Sequence, residues 1–527
     1  MGKIARYLNQ LTIGNVFDTP DVLEAYSTDR SILKIKPKIV ALPESTDDIR
    51  KLMRFCYQLA GKGIKIPVTV RGSGLDEMGA DLGNGLIISM EKLNKLMESD
   101  KRERLVRVQA GITLKELNTA LSLNGLTIPI GGHENDTIGG LISNCPTDSF
   151  AGKYYGIMNY VDRMEVVLPN GEIFQTNRLN KSAIKKRAND KSLESSIYNK
   201  VFQASQKNSK LIKKIAEKNM GSYGYPAIIQ AYNKNTLDLM PLFFGAQGTL
   251  GVITEVILRA VPTIVKTQRV VATFEDYEMA AKFLEMANSL KPRELDIYDI
   301  RIIKTAEEAG KRLGEITSKM ESGFVVFAKY DQHTKTALKK LSSIKKALPK
   351  TSQLIIDSPK TKVALDEFEN SLVSFLNQAR SGERVPLLTD FYLPTNNIKN
   401  FLNDLTILEK SLKMELALFG SYSSGNYHIR PKFNLEDEDF GKKVVTFLRT
   451  GSFVIGRQGG SLTGGSPEGR VKAMITNTSM PEDEKKLYDE IKRAFDRYDI
   501  MNPDIKLGAD AKFNLRHLRD DVAKISL

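Results

Sequence analysis

A short run, Arg71-Gly72-Ser73-Gly74, stands between two β-branched stretches, IPVTV (Ile66 to Val70) and GLIISM (Gly85 to Met90). Gly72 and Gly74 can turn through positive φ and bring main-chain N–H groups close to an anion, and Arg71 adds a positive charge beside them. That is the chemistry of a phosphate cradle. Glycines between strands most often serve only the turn. The case is strengthened by two glycine-rich segments later in the chain, Thr137-Ile138-Gly139-Gly140-Leu141-Ile142-Ser143-Asn144 and Gly245-Ala246-Gln247-Gly248-Thr249-Leu250-Gly251-Val252. A dinucleotide fingerprint would open a helix after its first strand. Here the first loop leads from strand to strand, its next glycine is Gly79, and no Walker lysine motif is present.

Groups able to move protons or hold metals are sparse. The four histidines, His133, His333, His428 and His517, are scattered and make no sequence-local zinc site. Cys56 and Cys145 lie far apart and read as two free thiols in a reducing compartment. His428 sits in GNYHIRP, after Tyr427 and two residues before Arg430.

The elements that must position these residues can be read from periodicity. KIVALP is a strand, and Ser45 or Thr46 caps a helix with Ile49, Leu52, Met53, Cys56 and Tyr57 on one face, closed by Gly61. Thr113 and Glu116 form a capping box. VDRMEVVLPNGEIF is a hairpin turning at Asn170-Gly171. From about Thr263, strand-like runs alternate with helical ones, the pattern of an α+β layer forming a second domain. A last helix begins with a capping box of Ser479 and Glu482 and carries the stripe Leu487, Ile491, Ala494 and Tyr498, ending before Asn502-Pro503.

A chain of 527 residues exceeds one core and suggests two or more domains. No apolar run reaches membrane-span length and the start lacks a signal-peptide pattern, so a cytoplasmic protein is expected. The net charge of +14 is partly local: residues 178–218 hold 12 Lys and Arg against 3 Asp and Glu. We read this stretch as a solvated, lysine-rich helical insertion, with peripheral contact to an anionic membrane as the sharper alternative. Only Tyr198 and Phe202 interrupt it, too few aromatics for a nucleic-acid platform, and no specific nucleic acid is expected.

The ordered stretches RGSG, TIGGLISN, YGIMNYVDRMEVVLPNGE, FFGAQGTLGVITEVILRAVP, GNYHIRP, GGSLTGG and AFDRYDIMNP together resemble the FAD-linked oxidase family of vanillyl-alcohol oxidase or PCMH type. Within it the chain is most similar to the D-lactate dehydrogenase and glycolate oxidase subunit group. The resemblance runs from about Tyr26 to Lys506. It implies an α+β fold, with a PCMH-type FAD-binding domain of two α+β subdomains and an α+β cap that covers the isoalloxazine ring. The expected boundaries are 1–262 for the FAD domain, with the basic insertion at about 178–220, 263–478 for the cap, and 479–527 for a segment returning to the FAD domain. By motif, Arg71, Gly72, Ser73 and Gly74 would hold the pyrophosphate, with Leu75 beside them as a further cofactor-binding residue. Thr137, Ile138, Gly139, Gly140 and Asn144 would line the cofactor further along, and Gly245, Gln247, Gly248, Thr249, Gly251 and Val252 its adenosine end.

The chain departs from the family at two places. Leu75 stands where many members carry a flavin-linking histidine, so FAD is expected to be non-covalent. Metal-dependent relatives carry His-x-Gly-Asp-Gly-Asn-x-His and Gly-Glu-His-Gly-x-Gly. This chain has SYSSGNYH, keeping only His428, and Gly464-Gly465-Ser466-Pro467-Glu468-Gly469. No metal is expected, because one histidine is too few protein ligands. His428 is then the first candidate for the base, followed by Tyr427, Tyr392 and Glu468, with Arg430 or Arg457 for a substrate carboxylate. Three functions stand as expectations: oxidation of a small hydroxy acid or related alcohol by hydride transfer to FAD, oxidation of a sugar, polyol or aldonolactone, and a non-catalytic flavin-binding protein with a basic surface. Oxygen, a quinone, a cytochrome and a flavoprotein all stand open as electron acceptor.

Overall fold

The computed structural model describes residues 2–145, 156–187, 191–217, 236–263, 267–308, 316–317, 320–331, 339, 352–369, 384–434, 439–464 and 466–519. His333 and Gly465 lie outside the described residues. The chain divides into two compact units, the first from residues up to 145, Gly156–Pro262 and Ser466–Arg519, the second from 263–464. The C-terminal return to the first unit therefore starts at Ser466, not at 479. Glu468 goes with it.

The first unit contains two main sheets. Strands Asn15–Phe17, Ile39–Leu42, Leu86–Ser89 and Val68–Arg71 lie side by side in that order, the last three parallel. Parallel neighbours need a crossover, which the helix Thr46–Gly61 supplies between Ile39–Leu42 and Val68–Arg71. Ser45 caps it, its Oγ accepting from Asp48 N–H. The helix runs through Gly61 and closes at Gly63 (φ +85°), where Lys62 and Gly63 N–H donate to Leu59 and Ala60 carbonyls. Closure thus comes later than expected. The second sheet is antiparallel, in the order Leu96–Asp100, Leu105–Gln109, Val252–Arg259, Val161–Val167, Ile173–Gln175. Its hairpin turns at Gly171 (φ +82°), and the Thr113–Glu116 capping box opens the helix Leu114–Ser122.

The basic stretch is helical and anchored. Its helix Leu193–Lys207 packs on Glu482–Phe495, with Ile197, Tyr198, Val201 and Ala204 buried and Lys207 paired to Glu490 at 3.0 Å. Lysines 200, 207, 210, 213 and 214 take the exposed faces. One expectation needs correction: Ser479 does not cap the last long helix. Its Oγ bonds back to Ile475 O in the preceding helix, and Pro481 stands at the start of Glu482–Phe495.

Among the described residues the second unit holds one seven-stranded antiparallel sheet, in the order Gln353–Ile356, Thr267–Phe274, Phe324–Asp331, Glu294–Asp299, Leu416–Ser421, Asn426–Pro431, Leu388–Tyr392. Successive side chains on a strand point to opposite faces. One face, through Tyr330, Phe391 and Tyr427, packs on the helices Tyr277–Ser289, Ile398–Leu412 and Phe440–Arg457. The other carries Glu294, Asp296 and Tyr298, then Phe419 and Ser421, then Asn426, His428 and Arg430, in register.

Candidate active site

The first unit gathers the three glycine segments. Gly74 has φ +70°, a conformation glycine adopts freely. A Cβ on Gly72 would fall inside contact distance of Thr137 Oγ1, and one on Gly139 would lie 3.0 Å from Ala110 Cβ. The first loop and the start of the helix Ile138–Asn144 thus approach each other only because side chains are missing. Main-chain N–H groups of Ser73 and Leu75 take no partner among the described residues, and Ser73 is exposed. Such donors in a tight loop suit a diphosphate.

Arg71 has a different occupation from the one expected. Its guanidinium donates to Thr28 O at 2.8 Å and Tyr26 O at 3.5 Å and lies over the Tyr26 ring. It holds the preceding segment beside the loop. Leu75 is half-buried in the same loop.

A polar chain that the sequence does not announce ties the segments together. Asp76 accepts from Met78 and Ala80 N–H and from Asn144 Nδ2. Gln247 Nε2 donates to Asn144 Oδ1, Gln247 Oε1 accepts from Gly469 N–H, and Asn502 Nδ2 donates to Gln247 O and Ala80 O. Thr249 O accepts from buried Lys492. Gly248 turns at φ +70°, while a Cβ on Gly251 would press on Val166. Gly245, Thr249 and Val252 are buried in this turn and the strand it starts. Desolvation, then the nearby Asp81 charge, pushes the Asp76 carboxyl up to about 6. Asp29, beside Asp81 and Asp76, is raised by the same causes.

Glu468 is 1% exposed and ion-paired to Lys506 Nζ at 2.7 Å within the first unit. This pairing argues against its use as a base, since an ion-paired carboxylate is stabilised as the anion.

In the second unit the in-register face brings a line of polar and aromatic groups together. Tyr298, Phe419 and His428 stack across three strands, with centroids 6.4 Å and 4.4 Å apart and planes within 8° and 7° of parallel. Arg430, 2% exposed, lies 5.4 Å over Phe419. His428 Nδ1 accepts from Asp390 N–H at 3.2 Å and contacts Thr389 Oγ1 at 2.9 Å, and its Nε2 is 3.8 Å from Asp390 Oδ1. Asn426 Nδ2 donates to the same oxygen at 2.9 Å. His428 and Asp390 side chains are 18% and 21% exposed, against 1% for Asn426.

Tyr427 is not with them. Neighbours in a strand face opposite ways, so Tyr427 enters the helix-covered core against Phe391, fully buried. Its hydroxyl finds no partner among the described residues, and burial pushes its pKa well up. Arg457 pairs with Asp404 on the helical layer. Tyr392 does belong to the polar face, opposite Asn426, and exchanges main-chain bonds with Ser461 of GGSLTGG. Asp390 was missed from sequence because nothing in TDFYLP marks it. Among the described residues no group of three His, Cys, Asp or Glu could hold a metal ion, and Cys56 and Cys145 are free thiols. His133 is a turn residue: its main-chain N–H donates to Asp136, and its Nδ1 accepts from Asn135 N–H.

Two family profiles match the chain, the FAD binding domain over residues 37–177 and the FAD linked oxidases, C-terminal domain, over 266–505. A D-lactate dehydrogenase of Anaerostipes hadrus is 25% identical, with 89% of each chain covered. The glycolate oxidase subunit GlcD of Bacillus subtilis is 24% identical, with 90% of each covered. A 4-ethylphenol oxidase structure from Gulosibacter chungangensis superposes with TM-score 0.67 at 13% identity, covering 97% of each chain. A p-cresol methylhydroxylase structure gives 0.65 at 13%, covering 95% of each. The two structures show the shared fold.

Proposed function

The chain belongs to the FAD-linked oxidase family, and we propose that it oxidises a small hydroxy acid of the D-lactate or glycolate class. FAD, when bound, supplies the two-electron acceptor for the hydride. The loop residues Gly72, Ser73, Gly74 and Leu75, with Thr137 closing on Gly72, would hold it. Leu75 offers no nucleophile in that loop, which supports a cofactor held without a covalent bond.

The observation that carries the substrate reading is the pair His428 and Asp390 beside Arg430. A hydroxyl group both accepts and donates a hydrogen bond. With Nδ1 engaged as an acceptor, His428 presents Nε2–H to the hydroxyl oxygen, and the Asp390 carboxylate is the group that takes the hydroxyl proton. His428 is therefore a donor, not the free base its position in the sequence suggested. Arg430 supplies the positive charge that a substrate carboxylate requires, which favours hydroxy acids over neutral sugars and polyols. No step needs a metal. The exposed lysines of 200–214 would also suit peripheral contact with an anionic membrane.

The test is anaerobic mixing with D-2-hydroxy acids, simple alcohols and sugars while the flavin absorbance is monitored. Bleaching by hydroxy acids alone is expected. Bleaching only by sugars moves the donor class, and none with any donor overturns the enzyme reading.

A further inference from the structure

The strand Leu388–Tyr392 is the last strand of its sheet and breaks register with Asn426–Pro431 between Leu388 and Phe391. Inside the break Asp390 has φ +52°, a left-handed conformation that is uncommon for a non-glycine residue. Bulges at sheet edges re-aim groups, and strain persists where the surroundings over-determine it. Here the bulge turns the Asp390 N–H onto His428 Nδ1 and sets Thr389 Oγ1 against the same nitrogen. A main-chain N–H can only donate, so this bond calls for an unprotonated Nδ1, to which the Thr389 hydroxyl, also 3.3 Å from Asp390 Oδ2, can donate as well. A neutral ring then carries its hydrogen on Nε2, toward the side where Asp390 Oδ1 lies 3.8 Å away. The stack on Phe419 fixes the ring plane.

We infer that the Thr389–Asp390 bulge is a positioning device that locks His428 in its Nε2–H tautomer, making the ring a donor and denying it a base role. The inference rests on the reading of His428 as a donor-binding residue, but its first test does not depend on turnover. Long-range proton–nitrogen NMR of holoenzyme labelled at histidine, with His428→Asn to assign the signal, should show a pyridine-like Nδ1 and a protonated Nε2. A hydrogen on Nδ1 overturns the inference. Thr389→Val removes one of the two donors and should give a mixed tautomer population and a kcat about tenfold lower with KM little changed. Thr389→Ser keeps the hydroxyl and should return both to within about twofold of the parent. A locked tautomer in Thr389→Val means that the Asp390 N–H alone suffices, which overturns the role given to Thr389. A mixed tautomer with unchanged kcat supports the lock and overturns the catalytic reading of His428 instead.

Discussion

At the scale of single residues, the informative observation is that Tyr427 and His428 are adjacent in sequence and opposed in space. Tyr427 meets Phe391 in the helix-covered core, whereas His428 stacks on Phe419. A base would have to present a lone pair, and the His428 Nδ1 lone pair is engaged. Replacing His428 by Ala removes a hydrogen bond to a group that becomes anionic, which contributes about 1.5–3 kcal/mol. We expect kcat/KM to fall about 10- to 100-fold, read from anaerobic flavin reduction, with the visible flavin spectrum and stoichiometry unchanged. An unaltered rate removes His428 from the site.

At the scale of elements, the glycine segments work by close approach. Gly72→Ala places a Cβ against Thr137 Oγ1, and the loop must shift to admit it. FAD retention on gel filtration should drop at least about tenfold, the effect of losing one well-made hydrogen bond. Gly156→Ala, where a Cβ meets open space, should retain FAD fully. The loop should also report pH. The Asp76 carboxyl titrates at about 6 in the folded chain, raised first by desolvation, against an ordinary value of 3.8. A raised folded pKa means that the folded state binds more protons, so stability is fullest below about pH 4 and declines as pH rises through 6. Asp29 shifts in the same direction. The decline is of order 3 kcal/mol at most for Asp76. Urea unfolding at pH 4 to 7 should show it, and Asp76→Asn should flatten it. Equal slopes in the two proteins would discard Asp76 as its source.

At the scale of the whole molecule, the charge of +14 is not spread evenly. The helices Leu193–Lys207 and Ser209–Glu217 bury Ile197, Tyr198, Ile212 and Ile215 and leave Lys200, Lys207, Lys210, Lys213 and Lys214 to solvent. A lysine near an anionic bilayer contributes about 1 kcal/mol, screened over a Debye length. Holoenzyme should co-sediment with phosphatidylserine vesicles at low salt and lose most of that binding at physiological salt. Changing Lys200, Lys210, Lys213 and Lys214 to Glu should abolish it without altering flavin reduction. Sedimentation that persists in the quadruple variant assigns the contact to another surface. No helix among the described residues is long and apolar enough to cross a membrane.

The sequence by itself determined whatever depends on near neighbours. The Thr113–Glu116 box, the Ser45 cap and the turn at Gly171 are local hydrogen-bond chemistry, and each is legible in a handful of residues. The ordered glycine segments likewise marked an FAD domain, because close backbone approach leaves a compositional trace. Tertiary structure alone decided the rest. Ser466–Arg519 returns to the first unit by packing against distant residues, and within that segment Glu468 is ion-paired to Lys506. Asp390 reaches His428 across 38 residues of chain through a bulge that no local pattern encodes. Register decides which of Tyr427 and His428 meets the polar face. A strand's alternation gives two faces, but only its partners say which of them is which.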